Sequence, residues 1–372
     1  MNILIAPDSF KGTLTARQVC DIIGQAFADT IKNVNITKLP AADGGEGLCA
    51  CLYEICGGEM IKTTVSGVFG EKIQAEYLFL PDKTAVIEIA ACAGLPLAGE
   101  NKNPEKATTF GVGELIADAV SNRAQRILLG LGGSATNDCG AGMAAALGYV
   151  FTDEYGNEFV PVGGTLCGIS KIKPPEKAVN IPVVAACDVE SPLYGEKGAA
   201  YVFAPQKGAD DAMVKRLDKG LRHIAEIIRR DLCSEVSHIK GSGAAGGMGA
   251  GTVAFLGGAL RKGIDILLDT ADFETKAAEA DLIITGEGRL DSQSAEGKVI
   301  SGIAKRSAGL NKMVVAICGS RGEGAEKIKN FGVSELYFAC ETHKPFDEIL
   351  KTCKEDLYAV AVKAAKEISG VL

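Results

Sequence analysis

Three stretches of this chain set acids, cations and hydroxyls beside glycine, the combination that binds and moves anionic groups. The first is Pro7-Asp8-Ser9-Phe10-Lys11-Gly12, in which Asp8, Ser9 and Lys11 would face a ligand together. The second is Ala42-Asp43-Gly44-Gly45-Glu46-Gly47, where glycines let backbone approach a ligand and Asp43 and Glu46 offer hard oxygen ligands suited to Mg²⁺. The third, Gly286-Glu287-Gly288-Arg289-Leu290-Asp291, continues through Ser292 to Gly297-Lys298. Each also has an ordinary use. Acid-glycine pairs make turns, Thr13 or Thr15 is a good helix cap, and Lys11 can simply be solvated.

The densest run is 126–143, with Gly130-Leu131-Gly132-Gly133-Ser134-Ala135-Thr136-Asn137-Asp138 at its centre. Small residues permit a close approach. Ser134, Thr136, Asn137 and the amides opening the next helix are therefore expected to hold phosphate or carboxylate, against the plainer alternative of tight helix–strand packing. The same run satisfies G-x-G-x-x-A through Gly130, Gly132 and Ala135, with Asp153 near the spacing of a ribose-binding acid. That opens a second reading, an NAD-linked oxidoreductase acting on a small hydroxy acid, although 46 glycines make chance matches expected. A phosphate loop of the Walker type fails, because Ser292 stands where its first glycine belongs and Val299 follows Gly297-Lys298. The G-x-S-x-G elbow of serine hydrolases and the protein-kinase pattern are also missing.

These loops need strands to carry them. Short apolar runs at 2–6, 35–39, 75–80, 85–89, 126–131, 181–186, 282–285, 313–318 and 336–339 predict strands, several without alternation, as in parallel strands buried on both faces. Met213, Leu217, Leu221, Ile224 and Ile228 share one helical face, and 349–368 repeats that spacing near the end. Residues 65–97 read as extended segments joined at Gly70 and Pro81-Asp82, which suits hairpins. The expected fold class is α/β with two domains: a discontinuous Rossmann-like parallel α/β domain, 1–64 and 281–372, and an inserted mixed α/β domain, 65–280.

Composition bounds the partners. With 372 residues, 47% apolar and 23% charged, the chain can bury a sizeable core, and its net charge of −8 offers no general attraction to nucleic acid or anionic lipid. No run approaches the roughly 18 apolar residues of a spanning helix. The start, Met1-Asn2-Ile3-Leu4-Ile5-Ala6, carries no basic leader, so a cytoplasmic protein with reduced thiols is expected. The 12 cysteines form no CxxC pair and the 3 histidines lie far apart, which argues against zinc. A third reading, a small-ligand sensor, lacks an output module. Oligomeric state is not legible.

Taken together the motifs resemble the glycerate kinase family in its bacterial type I form. The resemblance rests on Ala6 to Gly12, Ala42 to Gly47 and Gly130 to Asp138. It continues in Ala186-Cys187-Asp188-Val189, Ala204-Pro205-Gln206-Lys207-Gly208-Ala209, Gly243 to Gly251, and Thr285 to Arg289 with Gly297-Lys298. Leu48, Cys139 and Ser294 stand where the pattern has Thr, Gly and Thr. The resemblance implies ATP-dependent, Mg²⁺-dependent phosphorylation of glycerate, 2-phosphoglycerate being the favoured product, in a cleft between two α/β domains. Phosphoryl transfer needs cations on spreading negative charge and a carboxylate near the attacking hydroxyl. Metal and base candidates are Asp8, Asp43, Glu46, Asp188, Glu287 and Asp291, while Lys11, Arg289 and Lys298 would bind carboxylate or phosphates. Asp188 is the preferred base, with Asp8, Asp43 and Asp291 as rivals.

Overall fold

The computed structural model describes residues 1–42, 47–292, 299–340 and 345–370. Its strands in chain order are β1 (Asn2–Ile5), β2 (Asn35–Lys38), β3 (Glu59–Ser66), β4 (Lys72–Phe79), β5 (Thr84–Glu88), β6 (Arg126–Gly130) and β7 (Val150–Thr152). There follow β8 (Lys171–Lys173), β9 (Val183–Ala186), β10 (Ala259–Arg261), β11 (Leu282–Thr285), β12 (Arg289–Leu290), β13 (Met313–Arg321) and β14 (Val333–Cys340). They divide between two compact units: Met1–Asp43 with Ala50–Ile55 and Ile264–Leu372, and Gly44–Cys49 with Cys56–Gly263.

The first unit holds a parallel sheet in the order β12-β13-β11-β1-β2, with β14 on β13. Its central strands are apolar without alternation because both faces are covered: Ile3, Leu4, Ile5 and Leu282 to Thr285 are all buried. Helices Ala16–Thr30 and Phe346–Ser369 bury Val19, Ile23 and Phe27, and Leu357, Ala361 and Ile368, in the same core. The helix after β1 starts where Thr15 places it. The Thr15 hydroxyl accepts from Gln18 N (3.2 Å) while Gln18 Oε1 accepts from Thr15 N (3.0 Å), a capping box.

The second unit holds a mixed sheet, β10-β9-β6-β5-β4-β3, parallel from β10 to β5 and antiparallel across β5, β4 and β3. The hairpin turns fall at Gly70, whose φ is +91°, and at Asp82, whose Oδ1 accepts from Thr84 N (2.9 Å). Helix Asp211–Leu232 buries Leu217, Leu221, Ile224 and Ile228, the face its spacing predicted, and Asp210 caps its start by accepting from Met213 N (2.7 Å). The architecture is α/β with one parallel sheet, one mixed sheet and the small antiparallel pair β7-β8.

Three expectations shift. The boundary expected at 65 runs through β3, which pairs with β4 residue for residue from Glu59 to Ser66 and so belongs to the second sheet. The boundary expected at 281 falls after the structural division: helix Gly263–Thr270 is tied to the first unit by Arg306, which reaches Asp269 at 2.8 Å and the Asp265 carbonyl at 3.3 Å. Within 65–97, Ala90–Ala93 and Leu95–Ala98 are short helices. Alanine favours the first, and Pro96 sits in the opening turn of the second.

Candidate active site

Ligand crevices in parallel sheets form at the carboxyl ends of strands, which is where the chemically loaded loops lie in both units. In the first unit β1 and β11 are parallel neighbours, Ile5 opposite Ile284. Beyond them Asp8 N donates to the Gly286 carbonyl (2.8 Å) and the Thr285 hydroxyl donates to the Ala6 carbonyl (2.9 Å). Gly288 comes so close that a Cβ there would lie 3.0 Å from Phe10 Cα, tighter than most side-chain contacts. These contacts bring Asp8-Ser9-Phe10-Lys11 and Glu287-Gly288-Arg289 to one sheet end. Asp8 and Glu287 are buried, Lys11 and Arg289 exposed. Asp8 Oδ1 accepts from Ser9 N (2.6 Å) and from its hydroxyl (3.3 Å), so Ser9 spends its side chain on Asp8. Arg289 is held by the β12–β13 pairing, opposite Ser320, and half-buried Asp291 follows it.

Asp43, Glu46 and Lys298 lie outside the described residues. Among the described residues no three His, Cys, Asp or Glu gather closely enough to hold a metal ion by themselves. Glu287 and Asp291 are the two of the four expected metal donors that lie among the described residues. The donor set still fits Mg²⁺, which keeps several waters and takes one or two carboxylates together with substrate phosphates.

In the second unit the loop after β6 is bound down on several sides. Ala135 N donates to the Ala93 carbonyl (2.9 Å), Leu95 N donates to the Gly133 carbonyl (2.7 Å), and the Ser134 and Thr136 hydroxyls share a bond of 2.9 Å. Thr136 and Asn137 are fully buried, and neither the amide nitrogen nor the carbonyl oxygen of the Asn137 side chain has a hydrogen-bond partner. Buried Lys207 donates to the Thr136 carbonyl at 2.7 Å. Burial pushes its ammonium down to about 7, against the pull of the Asp138 charge.

The amides opening helix Ala141–Ala146, expected to take a ligand, are already occupied. Asp138 accepts from Gly140 N (3.1 Å), Gly142 N (3.3 Å), Thr109 N and the Thr109 hydroxyl (both 2.8 Å). Burial raises its carboxyl above the usual carboxylate range even against these four donors. The expected anion site at this helix start is thus filled by the chain's own carboxylate, which leaves side chains rather than helix amides to meet a ligand.

Asp188 follows β9 at the same sheet end, exposed, with Oδ1 accepting from Gly263 N (3.2 Å). Two further residues escaped the motif reading. Glu88 ends β5 opposite Gly130 and accepts from Cys49 N (3.3 Å), and its signal was an acid closing an apolar strand. Lys207 stood inside a quoted motif, but nothing in its spacing announced burial.

Asp153 is not a ribose ligand. It is half-buried in the loop after β7 and accepts from the Asn157 side-chain amide (3.0 Å), Asn157 N (2.8 Å) and Tyr155 N (2.9 Å), bonds that hold its carboxyl below the usual range and spend it on a turn. The glycerate kinase family matches residues 3–369. The chain belongs to the glycerate kinase family.

Relatives in this family align end to end. A glycerate kinase of Bacillus cereus is 42% identical over 370 residues, covering 98% of this chain and 97% of its own. A glycerate 2-kinase of Escherichia coli is 39% identical over 379 residues, covering 100% and 98%. A crystal structure from Salmonella typhimurium LT2 assigned to glycerate kinase 2 superposes with a TM-score of 0.89 at 38% identity, covering 100% of this chain and 98% of that one. Membership makes the chain an enzyme, a phosphotransferase with an alcohol group as acceptor, and sets aside the oxidoreductase and sensor readings. Cys139 stands where the resemblance drawn from the sequence expects glycine. Its φ is +56°, a left-handed conformation that glycine adopts freely and cysteine only under strain.

Proposed function

We propose that this enzyme transfers the γ-phosphoryl group of ATP to a hydroxyl of D-glycerate, giving ADP and 2-phosphoglycerate. The observation that carries the reading, beside family membership, is the meeting at one sheet end of Asp8 and Glu287 with Lys11 and Arg289. Buried acids beside exposed cations are what a site handling polyphosphate requires, since catalysis of this transfer is mostly positioning and charge neutralisation. Lys11 and Arg289, with Lys298, neutralise phosphate or glycerate carboxylate oxygens. Asp8 holds Ser9 and orients the Lys11 loop. Glu287 and Asp291, with Asp43 and Glu46, supply the oxygen donors for Mg²⁺, which when bound neutralises phosphate charge.

Ser134, Thr136 and Asn137 form the substrate-facing loop of the second unit, and Asp188 is the base. Asp188 accepts the proton of the glycerate hydroxyl as that oxygen bonds to the γ-phosphorus, while the bond to the bridging oxygen breaks and ADP leaves. Exposure leaves Asp188 open to a substrate, which suits a base better than the saturated Asp138. On the same proposal the enzyme works in the cytoplasm, where its 12 cysteines, none in a disulfide, stay reduced.

The test is ADP release from ATP and D-glycerate with Mg²⁺ present and after EDTA. Turnover that EDTA abolishes and Mg²⁺ restores is expected. Undiminished turnover in EDTA removes the metal assignment, and no turnover with either glycerate enantiomer overturns the substrate.

A further inference from the structure

We infer that Lys207 is a positioning residue for phosphoryl transfer: its buried ammonium, bonded to the Thr136 carbonyl, sets the Ser134–Asn137 loop without itself touching substrate. The inference rests on the reading that this loop meets the substrate.

Three observations carry it. Lys207 is 3% exposed, and its one hydrogen bond among the described residues goes to a main-chain carbonyl rather than to a carboxylate. A lysine kept dry on those terms is an electrostatic cost, because among the described residues two of its three donors find no acceptor and no bonded acid offsets the burial. Asp138, the nearest charge of opposite sign to act on it, already has four donors of its own.

The carbonyl it holds sits at the tightest point of the loop. Opposite it, Ala245, Gly246 and Gly247 run through three successive left-handed conformations, with φ of 52°, 70° and 91°. Gly246 presses in so far that a Cβ there would lie 2.0 Å from the Thr136 oxygen and 2.6 Å from Asn137 Cα. The Thr136 peptide is thus clamped between a strained turn and an ammonium, and a change in either one rotates the residue that follows.

That residue is Asn137, whose side-chain amide is fully buried with both polar atoms unpartnered. Its direction is set by its own backbone rather than by hydrogen bonds, so the backbone clamp decides where it points. The Ser134 and Thr136 hydroxyl pair stands on the same segment. Lys207 spends its hydrogen bond on the main-chain carbonyl of Thr136, which makes its role indirect.

The experiment is a double-mutant cycle of Lys207→Met and Asn137→Ala, read as kcat/KM for ATP and D-glycerate and as melting temperature. Lys207→Met is expected to lower kcat/KM at least tenfold while melting at or above the wild-type temperature, since it removes a buried charge. The double variant is expected to lose about what Asn137→Ala loses alone, because Lys207 acts through that residue. Losses that multiply overturn the inference, as does a Lys207→Met enzyme with unchanged kinetics. A loss that only tracks a fall in melting temperature also overturns it, leaving a structural strut. If Lys207→Met does not fold, Lys207→Gln carries the same cycle, and failure of both to fold assigns the strut. Unchanged kinetics in Ser134→Ala and Asn137→Ala together would sink the loop reading itself, a result distinct from failure of the lysine alone.

Discussion

At the β1 and β11 ends of the first unit, Lys11 and Arg289 stand exposed beside buried Asp8 and Glu287. At the β6 end of the second unit the order is reversed, with Asp138 and Lys207 sealed inside and exposed Asp188 outside them. The first arrangement places cations where an incoming anion meets them in water. The second spends its charges on the loop itself: Asp138 closes four donors and Lys207 holds one carbonyl. On the proposed reading, charge at one sheet end serves the ligand, while at the other it serves the shape of the loop. Substitutions should therefore separate activity from stability according to which end they strike.

The largest effect expected is on stability, from Asp138→Ala. Removing the carboxylate leaves four donors unpaired in a dry interior, and a loss of about 3–5 kcal/mol in denaturant unfolding should result. A loss below about 1 kcal/mol would show that water replaces the carboxylate and would blur the contrast.

At the other end, Lys11→Met deletes an exposed charge. It should lower kcat/KM by at least tenfold, as loss of a charge-assisted bond worth roughly 1.5–3 kcal/mol implies, with an unchanged melting temperature. Unaltered steady-state kinetics would return Lys11 to the solvated surface.

Lys207 gives a third handle, through pH. Its folded-state value of about 7 lies below the ordinary 10.5, so between these values the unfolded chain binds the extra proton and stability rises with pH. From pH 7 to 8.5, below the ordinary thiol value of 9.0, wild type should gain about 1–2 kcal/mol relative to Lys207→Met. Parallel stability curves for the two proteins would contradict the burial of this charge. The smallest stability effect belongs to Asn137→Ala, which breaks no hydrogen bond among the described residues and should leave the melting temperature within a degree or two.

What was legible follows the same division. The strands at 282–285 and 313–318 could be read because burial on both faces leaves an unbroken apolar run. The helix beginning at Ala16 could be read because Thr15 and Gln18 cap it locally. β3 began earlier than expected because its edge position lets Glu59, Lys62 and Thr64 interrupt the pattern. The loaded loops after β1 and β11 were visible as motifs, since their exposed charges stand beside glycine in sequence. The inner machinery of the second unit was not, because it is made by distance in space. Lys207 meets Thr136 across 71 positions, Thr109 meets Asp138 across 29, and the turn at Gly246 closes on Thr136 and Asn137 only in the folded chain.

The central claim is tested most directly by the product. Enzyme, ATP, Mg²⁺ and D-glycerate followed by phosphorus NMR should show the ATP γ-phosphorus signal replaced by that of a phosphate on C2 of glycerate, split by a single proton. A phosphate split by two protons, and therefore on C3, would contradict the assignment of the hydroxyl. Release of inorganic phosphate alone would contradict glycerate as the acceptor.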